Sequence, residues 1–124
     1  MADNTNPKTS RLVIVDDYAD AAHTLAEFLA ADGHEVVVAH DSAQALEIIA
    51  RDLPLCVLTD INMPGIDGLE LARQLRARYG SELVLIAVTA YADVDDFVSA
   101  RYQDFDHCLC KPLNLEALRS ILHC

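Results

Sequence analysis

Five side chains in this 124-residue chain share a kind of position, the end of a short apolar run. Asp16 and Asp17 follow LVIV, Asp60 follows CVLT, Thr89 closes LIAVT, and Lys111 follows HCLC. If the fold brings these ends together, three carboxylates meet in one crevice, where like charges repel unless a cation neutralises them or their pKa values rise. A hard, oxygen-preferring ion such as Mg²⁺ is the natural neutraliser, because it accepts one or two carboxylates together with water and phosphate oxygens. With a hydroxyl from Thr89 and an ammonium from Lys111 beside it, such a crevice is suited to holding a phosphoryl group.

The elements that must position these residues alternate along the chain. Short β-branched runs, Leu12 to Val15, Glu35 to His40, Leu55 to Thr59, Leu83 to Thr89 and His107 to Cys110, are separated by stretches of helical period. The first helix is expected from about Ala19 to Asp32, with Ala22, Leu25, Ala26, Phe28 and Leu29 on one stripe and Gly33 at its end. The second opens at Asp41, with Gln44 completing a capping box, and ends before Pro54. The third follows Gly68, turns Leu69, Ala72 and Leu75 inward and Arg73, Arg76 and Arg78 outward, and ends near Gly80. A fourth runs from about Ala92 to Tyr102, with Val94, Phe97, Val98 and Tyr102 as its packing stripe. The fifth starts after the N-cap Asn114 and faces Leu115, Leu118, Ile121 and Leu122 to the sheet.

Strand–helix alternation predicts an α/β fold: a flavodoxin-like, doubly wound, five-stranded parallel sheet of order 2-1-3-4-5 with five helices. In that order strands 1 and 3 are neighbours and ligands gather beyond their carboxyl ends, which is where Asp16, Asp17 and Asp60 stand. MADNTNPKTS reads as a disordered polar tail over residues 1–10, ahead of one domain over 11–124.

With 9 Lys+Arg against 20 Asp+Glu the formal net charge is −11, which opposes direct contact with nucleic acid. No apolar run reaches the length of a membrane span and the tail lacks a signal-peptide core, so no membrane insertion and a cytoplasmic location are expected. Cys56, Cys108, Cys110 and Cys124 read as reduced thiols, since a core of this size needs no disulfide. A zinc site built on His107, Cys108 and Cys110 is disfavoured, because in a strand the two cysteines share a face and the histidine points to the other. His23, His34, His40 and His123 show no HExxH spacing and read as surface residues.

The acidic pair of LVIVDD, the segment TDINMPGIDGLEL with Asp60, Met63, Pro64, Asp67 and Gly68, the VTA segment with Thr89 and Ala90, and Lys111-Pro112 occur in order, each at a strand end. Together they resemble the receiver domain of bacterial two-component response regulators, over Arg11 to about Leu122. The resemblance implies that Asp60 accepts a phosphoryl group from a histidine kinase or a histidine phosphotransfer protein. It implies Mg²⁺ held by Asp17, Asp60 and the backbone carbonyl of Asn62, with Asp16 acting through bound water. Lys111 is then expected to pair with a phosphoryl oxygen, and backbone N–H groups of Asn62 and Ala90 to complete the cradle. Thr89 would turn to the phosphoryl group and bias the face formed by the fourth helix, fifth strand and fifth helix toward an output partner the sequence does not name. The Lys111-Pro112 peptide is expected to be cis.

Two positions depart from the family pattern. Many receivers carry Tyr or Phe three residues before the strand 5 lysine, where this chain has Cys108, and many have Gly where it has Asp104. The segment FDHCLCKPLNLEAL resembles receivers attached to hybrid histidine kinases. Chemistry is expected on the chain itself, its own phosphorylation and dephosphorylation, rather than turnover of outside substrates: aspartyl phosphohydrolases carry a second Asp two residues after the nucleophile, and here that residue is Asn62. A phosphorylation-independent adaptor is the other reading, opposed by the intact acidic pair, Asp60 and Lys111.

Overall fold

Alternation of side chains along three short strands sorts the interior into two cores, one on each side of a sheet. The computed structural model describes residues 11–61, 65–89, 103–110 and 114–122. In chain order these form β1 (Arg11–Val15), α1 (Ala19–Ala31), β2 (Glu35–Ala39), α2 (Ser42–Arg51), β3 (Cys56–Asp60), α3 (Gly68–Tyr79), a 3-10 turn (Gly80–Glu82), β4 (Val84–Thr89), β5 (His107–Cys110) and α4 (Leu115–Leu122). All neighbouring strands pair in parallel, in the order β2-β1-β3-β4-β5. That is the expected order.

Four α-helices stand among the described residues, against five expected; the fourth expected helix, Ala92 to Tyr102, lies outside the described residues, as do the tail over residues 1–10 and Lys111-Pro112. The helix expected after Asn114 is therefore α4.

Leu12 and Ile14 of β1, Cys56 and Leu58 of β3 and Ile86 of β4 pack with Ala22 and Leu29 of α1 and Leu118 of α4. The intervening residues Val13, Val15, Val57, Leu85 and Ala87 pack on the opposite face with Ala45 and Ile49 of α2 and Leu71 and Leu75 of α3. Each fully buried Leu, Ile or Val contributes about 1.5–3 kcal/mol of burial free energy, so a sheet covered on both faces is held mainly by these layers. Arg119 of α4 ties the first face together, pairing with Asp32 at 3.3 Å while its guanidinium lies 5.3 Å from the Phe28 ring centroid.

Local signals set the helix ends. Asp41 accepts a hydrogen bond from the Gln44 backbone N–H at 2.7 Å, and Gln44 Oε1 in turn accepts one from the His40 N–H at 2.7 Å, a reciprocal box that starts α2. Asp67 caps α3 through the Glu70 N–H at 2.9 Å, and Asn114 caps α4 through the N–H groups of Glu116 and Ala117 at 3.0 and 3.1 Å. Gly33, at φ +99°, takes the chain out of α1 through a backbone region that side chains disfavour.

Three outward or inward assignments change. Arg76 is not a solvent-facing residue: its guanidinium folds back over the end of α3 to backbone carbonyls and Asp106, because those groups lie within reach of its long stem. His34 is half-buried rather than a surface residue, since it stands where α1 turns tightly into β2. Leu115 is exposed, because the first residue of α4 overhangs the carboxyl edge of the sheet instead of facing it. No helix among the described residues is long and apolar enough to cross a membrane.

Candidate functional site

Parallel pairing in register brings the carboxyl ends of the strands to one edge. Val15 stands opposite both Ala39 and Thr59, Asp60 opposite Val88, and Thr89 opposite Cys110. Asp16 and Asp17 leave β1 at this edge and Asp60 is the last residue of β3, so the residues that follow adjacent strands converge. Carboxylate oxygens of Asp16, Asp17 and Asp60 all lie within 4.8 Å of one another. Asp16 is buried, Asp60 half-buried and Asp17 exposed, so the cluster opens to solvent on one side.

Backbone hydrogen bonds fix the approach of each carboxylate. The Asp16 N–H donates to the Ala39 carbonyl at 3.1 Å, extending the β1–β2 ladder by one step, and Asp16 Oδ1 accepts from the Tyr18 N–H at 2.9 Å, which turns the chain into α1. On the other side the Ile61 N–H donates to the Val88 carbonyl at 3.1 Å and the Gly68 N–H to the Ile61 carbonyl at 2.9 Å. The segment after Asp60 is thus closed back on itself before α3 begins. Thr89 ends β4 and is buried.

The donor set is all oxygen and concentrates negative charge, which is the chemistry a hard divalent cation takes. Oxygens on one Mg²⁺ lie at most about 4.2 Å apart, so this cluster needs only a small contraction to share an ion, directly or through water. Beside it runs a largely apolar cleft of about 610 Å³, lined among others by Asp16, Tyr18, Thr24, Phe28, Asp60 and Leu115.

The structure therefore brings together Asp16, Asp17 and Asp60 and places Thr89 at the same sheet edge. Asn62, Ala90 and Lys111 lie outside the described residues. Two supporting residues escaped sequence reasoning. Ser42, at the start of α2 and buried, donates its hydroxyl to the Ile66 carbonyl at 2.7 Å, tethering the loop that follows Asp60. Nothing in its local sequence marks it, since a Ser after an N-cap is common. The Tyr18 amide is the other, and the Asp two residues before it is a recognisable Asx-turn signal.

The family model for the response regulator receiver domain matches residues 12–123. This chain belongs to that family. As a receiver it shares 39% identity over 108 residues with the response regulator MprA of Mycobacterium ulcerans, an alignment covering 87% of this chain and 46% of that protein. The receiver thus spans less than half the length of the curated relatives it matches. Among solved structures, a CheY-like receiver from Methylobacillus flagellatus is 30% identical with a TM-score of 0.82, covering 92% of this chain and 96% of that one. The response regulator TrrA of Thermotoga maritima, solved in complex with Mg(2+)-BeF, is 28% identical with the same TM-score and coverage. A receiver from Clostridium thermocellum at 23% identity and TM-score 0.84, covering 92% and 91%, shares the fold. The chain is a receiver module of two-component signalling.

Proposed function

We propose that Asp60 is the phospho-acceptor of this receiver and that the modification is Mg²⁺-dependent. The observation that carries the reading is the convergence of Asp16, Asp17 and Asp60 oxygens within 4.8 Å, an arrangement otherwise costly in like-charge repulsion. Asp17, Asp60 and the backbone carbonyl of Asn62 would hold the ion, with Asp16 reaching it through water. Bound there, Mg²⁺ supplies charge neutralisation for the incoming phosphoryl group. The solved complex of TrrA with Mg(2+)-BeF supports the same chemistry at this site.

In the proposed reaction a carboxylate oxygen of Asp60 attacks phosphorus in line, an acyl phosphate forms, and the donor's nitrogen–phosphorus or oxygen–phosphorus bond breaks with its electron pair leaving on the donor. A phosphohistidine of a histidine kinase or a histidine phosphotransfer protein is the physiological donor. Lys111 pairs with a phosphoryl oxygen, N–H groups of Asn62 and Ala90 bind the others, and the Thr89 hydroxyl turns to the acyl phosphate. That turn shifts the population of the face formed by the fourth expected helix, β5 and α4 toward partner binding, with residues 11–124 as the functional unit. The chain acts on itself, not on outside substrates. Cys108, half-buried where many receivers have an aromatic residue, supports kinship with receivers of hybrid histidine kinases and a switch carried by Thr89 without an aromatic partner.

Intact mass after incubation with acetyl phosphate, with and without Mg²⁺, tests the reading. One added phosphoryl group is expected in wild type with Mg²⁺, and none in Asp60→Asn or without the ion. Failure to gain mass, combined with failure to bind Mg²⁺, would overturn it in favour of a phosphorylation-independent adaptor.

A further inference from the structure

Two histidines stand at the carboxyl edge of the sheet and take no part in the carboxylate cluster. His23 lies on the second turn of α1 and His40 directly follows β2; both are exposed. Their ring centroids are 5.7 Å apart, with the ring planes tilted by 57°. Both backbones are held. His23 is inside a helix, and the His40 N–H is bound by the Gln44 side chain in the α2 capping box, one residue beyond the Asp16–Ala39 hydrogen bond. Among the described residues no hydrogen bond or ion pair occupies the ring nitrogens of either side chain.

Imidazole nitrogen is a borderline donor, suited to Zn²⁺, Ni²⁺ and Cu²⁺ and poorly suited to Mg²⁺. With metal–nitrogen bonds of about 2.0–2.1 Å, two imidazoles on one tetrahedral ion place their ring centroids about 5–5.5 Å apart. The pair stands close to that separation, and both backbones are held, so the two rings reach one ion without backbone movement. Asp20 and Glu27, one turn to either side of His23 on α1, and the net charge of −11 add a potential that attracts cations.

We propose that His23 and His40 form a second metal site, separate from the carboxylate cluster and selective for a borderline divalent ion of the Zn²⁺ class, with one nitrogen from each ring and water in the remaining positions. Imidazole is a poor ligand for Mg²⁺, so excess Mg²⁺ does not compete for this pair.

The test is a titration of the protein with ZnCl₂ in excess MgCl₂, followed by NMR of the histidine C2–H resonances, for wild type, His23→Gln and His40→Gln. The resonance missing from each variant assigns its histidine. The His23 and His40 resonances are expected to move together and to saturate at one equivalent of Zn²⁺, and each variant to bind that equivalent about tenfold or more weakly, with Mg²⁺ affinity and circular dichroism unchanged. Zn²⁺ uptake that leaves both resonances in place would put the ion on cysteines or carboxylates and overturn the proposal. So would wild-type affinity in either variant, or no Zn²⁺ uptake at all.

Discussion

Gly68 packs its α-carbon directly against the backbone of Asp60: a β-carbon there would lie 2.3 Å from the Asp60 carbonyl oxygen and 2.8 Å from the Ile61 α-carbon. The N-terminus of α3 therefore rests on the strand end that presents the proposed phospho-acceptor. The obstructing atoms are backbone and belong to the sheet edge, so they cannot yield as the tip of a flexible side chain would. Gly68→Ala is expected to destabilise the fold by about 1–3 kcal/mol through overpacking, measured by urea unfolding. It is also expected to slow acetyl phosphate labelling, because the displaced group is Asp60 itself. Wild-type stability in this variant would show that the contact relaxes freely.

Ser42 acts on the same loop from the other side. Its hydroxyl bond to the Ile66 carbonyl is short and comes from a buried side chain, and Ser42→Ala leaves that carbonyl without this donor. A loss of about 1 kcal/mol in stability is expected. Because the tethered loop follows Asp60, labelling should slow more than the stability loss alone explains under conditions where the variant is fully folded. Labelling at the wild-type rate would confine Ser42 to a structural role.

Sheet order and the convergence of Asp16, Asp17 and Asp60 were legible in the sequence because each depends on local pattern plus one topological rule. Apolar runs mark strands, and the runs end in the residues that carry the chemistry. Asp41 with Gln44 and the Asn114 cap were equally legible, being contacts between residues close in sequence. Arg76 was not. Its position on a helix face predicts exposure, and two of its partners, Asp104 and Asp106, lie 28 and 30 residues away in sequence. The Ser42–Ile66 tether fails for the same reason, a contact between residues 24 apart with no periodic signature. Leu115 fits its helix stripe by spacing, yet as the first residue of α4 it lines the cleft beside Asp16 and Asp60 and is exposed.

Arg76 gathers the end of α3, the start of β4 and the approach to β5. Its guanidinium donates at 2.8 Å to the carbonyls of Asp104, Gly80 and Leu83, and at 2.5 Å to Asp106 Oδ2, which also accepts from the Leu85 N–H at 2.9 Å. The pair is partly solvated, so charge attraction is screened and the carbonyl bonds carry most of the effect. Arg76→Met is expected to cost about 1–3 kcal/mol in urea unfolding. Asp106→Asn keeps an acceptor for Leu85 and should cost less. Equal losses, both abolished by high salt, would instead make the ion pair the main contribution.

Cys56 gives the fold a distinct response to alkaline pH. Burial pushes its thiol well above the ordinary value of 9.0, and the charge of Asp106 adds to the shift. A group whose folded pKa is raised contributes stability that is intact below its unfolded pKa and is lost as pH rises beyond it. Below about pH 9 the thiol is neutral in both states, whereas above it the unfolded chain releases a proton that the native protein retains. Stability attributable to this group should therefore fall by up to about 1.4 kcal/mol per pH unit above pH 9. Other groups titrate in the same range, so the diagnostic quantity is the difference between wild type and Cys56→Val, which keeps an apolar side chain in the β3 core. Urea unfolding between pH 7 and about pH 10.5 should show the two proteins diverging above pH 9, with the variant losing less stability. Parallel curves over that range would mean that the native thiol ionises as readily as the unfolded one, and that the α1–α4 face of the sheet opens far enough to admit water to Cys56.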